Sequence, residues 1–278
     1  MKKLTVFCAA ACLAASAAAQ NHPDLHEVLD RQKGRNLIEI PKGTYTLDVR
    51  SNGPYKFHNL TDIHINGNGS TVICNNQEQA FSFYNCVRVE LRDLTIDYDP
   101  LCFTQGEITA VAEDGSWFDV RIDEGYPVTG LAANRVQFYD PQTRLLKRNS
   151  ITTYTSNYSA LKQLGHNLFR AVKNGTWSAG EQVGDLVVMD VKTDKPNAGV
   201  HTVMLNKCYN TKLENVTVYG SNTFSFFEKE GYANEYRNCV VDRGPMPQGI
   251  RPRLRSGNAD GIHSSPAGKG RTVTGCKV

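Results

Sequence analysis

The chain has 278 residues, 40% hydrophobic and 21% charged, with 31 Lys+Arg against 28 Asp+Glu and a formal net charge of +3. That length allows one large core, or a core with an inserted unit. The charge is too small to draw the chain to nucleic acid or an anionic membrane, and no stretch after the leader reaches the roughly eighteen apolar residues of a membrane helix.

Lys2 and Lys3, the apolar run Leu4 to Ala15 and the small residues Ala17 to Ala19 read as a secretory signal peptide over residues 1–19. Its removal leaves a formal charge of +1 and predicts an exported protein, periplasmic or extracellular. Six cysteines then remain: Cys74, Cys86, Cys102, Cys208, Cys239 and Cys276. None falls in a C-x-x-C or Cys/His cluster, so neither metal nor cofactor is expected.

Asp24 to Arg31, with Leu25, Val28 and Leu29 apolar, predicts a short helix capping the first coil. "LIEIPKGTYTLDV" is then strand, Pro-Lys-Gly turn and strand. "LTDIHINGNG" from Leu60, "LRDLTIDYDP" from Leu91 and "LENVTVYGSN" from Leu213 share L-x-x-[ILV]-x-[IV] and a polar turn. Altered copies start at Tyr236 and Val273, giving spacings of 31, 122, 23 and 37 residues. Such units bury nothing alone and must stack. Short strands with Asn-rich turns and no intervening helix predict a parallel β-helix. Leu60, Leu91 and Leu213 are expected in one column, and Ile63, Leu94, Val216, Cys239 and Cys276 in another. Cys86 should lie over Cys208 and Cys239 over Cys276, as inward thiols, because in-register parallel neighbours suit disulfide geometry poorly.

The long gap holds an insertion. Residues 103–195 carry alternating strands around turns at Asp114-Gly115, Asp140-Pro141 and Asn174-Gly175, predicting a small antiparallel β-barrel or sandwich of about six strands. The expected order is leader 1–19, cap and first coils 20–102, barrel 103–195, and further coils 196–278 carrying part of the active site.

"NTFSFFEKEG" and "NADGIHSSPAGKG" align by their Asn-x starts, putting Asp260 level with Phe224 and His263 level with Phe227. An acid and an imidazole replacing two aromatics mark a candidate site. Asp260 is the candidate catalytic acid; His263, Asn258 and Glu228 are candidate substrate contacts. The competing reading is that Asn258 and Asp260 make an Asx turn before a strand. The preceding basic loop, "RGPMPQGIRPRLRSG", carries four arginines and reads first as a solvated face, while Arg251, Arg253 and Arg255 are its candidates to grip sugar hydroxyls or a carboxylate. Phe224, Phe226 and Phe227 are a candidate platform for a sugar face, with at least one of them expected in the core.

Several segments together resemble glycoside hydrolase family 110, exported α-1,3-galactosidases: "IEIPKGTYTLDV", "DIHINGNGSTVIC", "LRDLTIDYDPLCFTQGEITAV", "NAGVHTVMLNKCYNTKLENVTVYGSNTFSFF" and "SGNADGIHSSPAGKGRTVTGC". The likeness covers most of the mature chain in the same order. It implies a right-handed, pectin-lyase-like solenoid with an inserted barrel, and inverting hydrolysis of terminal α-linked galactose on a glycan. Asp260 matches that family's catalytic aspartate and His263 its histidine. Ala259 departs from it, standing where the family often has a second acid. The resemblance also implies an Asp-Asp pair one coil later, beyond Val278, so the expectation is a chain cut short, self-associating and without turnover by itself. Asn-x-Asp-Gly occurs in polygalacturonases too. A polygalacturonase-like hydrolase, a polysaccharide lyase and a non-catalytic carbohydrate-binding solenoid are the competing readings. The sequence does not give an oligomeric state.

Overall fold

The computed structural model describes residues 22–192 and 200–278. The leader expected over 1–19 lies outside them, as do residues 193–199 at the end of the insertion. The protein is all-β. Among the described residues the helices are two short ones, Leu25–Asp30 and Val49–Asn52, and a 3₁₀ turn at Thr155–Asn157. Asp24 caps the first by accepting the His26 amide, and Leu25 and Leu29 are fully buried.

Two parallel sheets enclose one core. The eight-stranded sheet runs in the order Leu37–Glu39, Thr61–Cys74, Val87–Tyr98, Lys212–Tyr219, Glu235–Arg237 and Thr272–Thr274, with Thr44–Leu47 and Val240–Asp242 pairing alongside. The five-stranded sheet runs Tyr55–His58, Phe81–Tyr84, Val203–Asn206, Phe226–Lys229 and Ile262–Ser264. The chain therefore alternates between the two sheets, each passage adding a strand parallel to the last. The rungs alternate inward and outward, and the inward side chains form a continuous core that includes Phe57 stacked on Phe83 at 4.8 Å.

The recurrent L-x-x-[ILV] spacing has a backbone cause. Its third residue is left-handed: Asp93 at φ 55°, Asn215 at 53° and Asn238 at 50°. Asn and Asp tolerate this conformation better than most residues, and it turns a corner between inward positions. The corners stack, with Asn215 Nδ2 donating to Asp93 Oδ1 at 2.8 Å.

One expected column needs correction. Leu91 pairs with Leu213 and Leu94 with Val216, but Leu91 lies opposite Ile65, not Leu60. Leu60 instead adjoins the Cys86–Cys208 level, since Thr61 pairs with Val87 and Val87 with Tyr209. Ile63 likewise pairs with Val89, and Ser70 occupies the Leu94 column. The reason is that each turn of chain has two such corners. Asp62, at φ 56°, makes the first corner with the same local pattern that Asp93 uses at the second. The Gly67-Asn68-Gly69 bulge then shifts the pairing by two residues. All six described cysteines are free thiols, five of them buried.

Residues Phe103 to Val191 form a separate seven-stranded antiparallel sheet. Its edge strands, Thr153–Tyr154 and Tyr158–Gln163, are consecutive and joined by the 3₁₀ turn, so the sheet curls nearly closed. It has its own core, centred on Phe118, Phe138 and Val188. At its base the Tyr98 hydroxyl donates to the Glu78 carbonyl (2.9 Å) and meets the Thr202 hydroxyl (3.0 Å), bringing the two ends of the excursion together.

Candidate functional site

The chain leaves the parallel sheet after Val240–Asp242 and crosses the antiparallel sheet before returning at Ile262–Ser264. Met246, Ile250 and Leu254 of this crossing pack into the antiparallel core. Its arginines fasten it down. Arg253 makes a bidentate pair with Asp97 at 2.8 and 2.9 Å. Arg255 meets Asp190 at 2.8 Å, and Arg251 meets Glu107 and Asp123 at 3.3 and 3.2 Å. The sequence reading of these three as ligand grips is therefore corrected: each guanidinium already holds a carboxylate, and Arg253 and Arg255 are buried.

On its return the chain passes close to the previous rung. A side chain at Gly257 would meet Ser221 Oγ at 2.2 Å and would have to turn that buried hydroxyl away. The Asn258 amide then donates to the Ser221 carbonyl at 3.0 Å, while Arg135 of the antiparallel sheet donates to the Asn258 carbonyl. Asn258 is half-buried, and its side-chain amide reaches Asn222 at 3.4 Å. It shapes the loop between the two sheets rather than offering its side chain freely.

Phe227 pairs with His263, so Phe224 lies level with Asp260, as the alignment predicts. The Ser225 amide donates to the Asp260 carbonyl (3.1 Å) in the same register. The Asp260 side chain is 61% exposed and accepts a 2.8 Å hydrogen bond from His263 Nδ1, whose own side chain is 40% exposed. That bond places the proton on Nδ1 and leaves Nε2 for an incoming group.

His263 lies flat on Phe224, centroids 4.0 Å apart and planes 5° from parallel. The opposite face of Phe224 is covered by His201 at 4.9 Å, also at 5°. Phe227 completes the cluster, 4.3 Å from His201. The proposed sugar platform is thereby corrected. Phe226 is fully buried inside, and both faces of Phe224 are occupied by imidazoles. His201 itself was missed. It sits two residues before Val203 as Phe224 sits two before Phe226, so the same alignment extended by one rung reaches it. Thr223 Oγ1 donates to the Val200 carbonyl at 2.5 Å, so it accepts from His201 Nδ1 at 2.9 Å. Burial, with a smaller contribution from His263, pushes the His201 imidazole down to about 4.

Glu228 is not brought together with Asp260. The alternation that turns Phe227 outward turns Glu228 inward, where it is fully buried. Its partners are the Tyr236 hydroxyl at 3.4 Å and Arg271 Nε at 3.6 Å. It is a core ion pair, and the reading of Glu228 as a substrate contact is set aside on that ground.

Asp260, Asn258 and Phe224 form one wall of an open cleft of ≈ 450 Å³; Arg135, Gln137 and Tyr139 of the antiparallel sheet form the other, with Arg255 at the base. Asp260 is the carboxylate among the described residues that line it. Among the described residues, no three His, Cys, Asp or Glu side chains gather closely enough to hold a metal ion. No protein-family model matches the chain, and no curated protein matches it.

Proposed function

We propose that this protein is an exported glycoside hydrolase acting on terminal α-linked galactose, with Asp260 as one of the two carboxylates of an inverting mechanism. In this reading the two parallel sheets are faces of a right-handed parallel β-helix, and the antiparallel unit is an inserted barrel forming one wall of the substrate cleft. The observation that carries it is Asp260 itself: a solvent-facing carboxylate, tied to His263 at 2.8 Å, on the rim of a cleft between two sheets. An exposed acid held by an imidazole rather than neutralised by a guanidinium can exchange protons with a bound sugar. His263 Nε2 and Arg135 flank it as hydrogen-bonding groups for hydroxyls. Inversion requires a second carboxylate roughly 6.5–9.5 Å away, leaving room for the attacking water. Because Asp260 is the carboxylate among the described lining residues, a carbohydrate-binding solenoid without turnover is the second reading.

Titrating methyl α-galactoside into the protein, followed by the His263 ring resonances, tests recognition. Comparing Asp260→Asn with wild type in full-length protein that turns over a terminal α-1,3-galactoside tests chemistry. The expected loss is about 10²–10⁴-fold in kcat, with the His263 shift retained. Turnover that survives the substitution removes Asp260 from the mechanism. Saturable binding with no turnover under any condition favours the binding solenoid.

A further inference from the structure

The cleft beside Asp260 continues. A second hollow of ≈ 420 Å³ shares Tyr139, Leu146 and Arg255 with it and adds Arg243 at its far end. Among the described residues, the combined groove is lined by Arg135, Arg243 and the ion-paired Arg255, with Asp260 as its carboxylate. Asp190 answers Arg255 from behind. Arg135 donates to a carbonyl, and neither it nor the exposed Arg243 forms a close ion pair among the described residues, although Asp190 and Asp242 lie within their field. On a chain of nearly balanced charge this is a local positive field. Exposed Leu145 and Leu146 give the groove an apolar lip.

We infer that this groove is a subsite for an anionic substituent, a carboxylate or sulfate, on the sugar next to the one held at Asp260. Guanidinium groups recognise both anions through paired N–H donors, and a groove of one sign concentrates such ligands. The inference rests on the carbohydrate reading above but not on Asp260 being catalytic. It gives the substrate class as acidic, galactose-terminated oligosaccharides.

The test is calorimetric titration of the full chain with α-1,3-galactobiose, its sulfated form, and the analogue carrying galacturonate in the second ring. Each is run at about 0.02 M and about 0.3 M salt. At low salt at least one anionic sugar should bind roughly five- to tenfold more tightly than the neutral one, and the advantage should shrink as salt screens it. Which anion gains identifies the substituent. Arg243→Gln, at an exposed position with little bearing on folding, should reduce the advantage, and Arg135→Gln/Arg243→Gln should abolish it. Asp260→Asn should leave it intact. Equal affinity for neutral and anionic sugars overturns the inference, as does an advantage that survives loss of both arginines. If sulfated glucans bind and no galactoside does, the groove stands and the galactosidase reading falls; galactobiose hydrolysis without any anionic preference is the reverse.

Discussion

His201 should make the fold acid-sensitive in a defined window. In the unfolded chain its imidazole titrates near 6.5. In the fold it is pushed down to about 4, because it is buried between Phe224, Phe227 and Thr223, with His263 beyond Phe224. Between those two values the unfolded chain carries a proton that the folded chain lacks. Stability from this group is complete above about pH 6.5 and falls as pH drops, by about 1.4 kcal/mol per unit, until the folded imidazole titrates near 4. The full span is about 3 kcal/mol, a large part of the roughly 5–15 kcal/mol that holds a typical domain together. His201→Phe keeps a ring on Phe224 and removes the titration, at the pH-independent cost of the Thr223 hydrogen bond, about 1 kcal/mol. Urea unfolding of both proteins from about pH 7.5 to about pH 4.5 gives the difference profile. His58, whose imidazolium is also disfavoured by burial, is present in both proteins and cancels. The wild type should lose stability faster than the variant as pH falls. Parallel curves would refute the argument, and would mean that the ring cluster opens to admit the proton.

The crossing loop and the thiols give two further expectations. Arg253→Leu strands the buried Asp97 carboxylate, so it should cost about 3–5 kcal/mol in urea unfolding, while Asp97→Asn/Arg253→Leu recovers part of the loss; a change within about 0.5 kcal/mol would show the pair to be incidental. Native alkylation followed by mass spectrometry should modify Cys276, which is half-exposed, well before the other five cysteines. Burial pushes the Cys102 and Cys239 thiols up to about 12, which adds to their protection. Comparable labelling of buried thiols, or a mass two hydrogens light, would contradict that order.

Much of the strand pattern was legible because the corners have a chemical signature. Asp93, Asn215 and Asn238 each stand between two inward apolar residues, and left-handed backbone is the reason Asn or Asp stands there. The same signature misled at Leu60, because a turn of chain with two similar corners does not say which one a motif occupies. Only the neighbouring strand decides, and it places Ile65 opposite Leu91. Glu228 was readable and misread. Once Phe226 points inward, period-2 alternation carries Glu228 inward as well. His201 was within reach by the same register. Arg135 was not, because it belongs to the antiparallel sheet, and nothing in its local sequence says which segment of the parallel part it will face.

The arginines show why composition alone misassigns a binding surface. The run from Arg251 to Arg255 is the densest basic stretch near Asp260, and all three of its cations are matched to acids on other strands: Glu107, Asp123, Asp97 and Asp190. Those pairs hold the crossing loop against the antiparallel sheet, and the loop delivers Asn258 and Asp260 to the rim of the cleft. Arg243 opens that same basic loop and Arg135 lies far away on the antiparallel sheet, yet both line the groove with no ion pair among the described residues. A cation is available to a ligand when the fold leaves it without a counter-ion. That condition is set by packing between distant strands: within one loop Arg251, Arg253 and Arg255 are matched to acids while Arg243 is not.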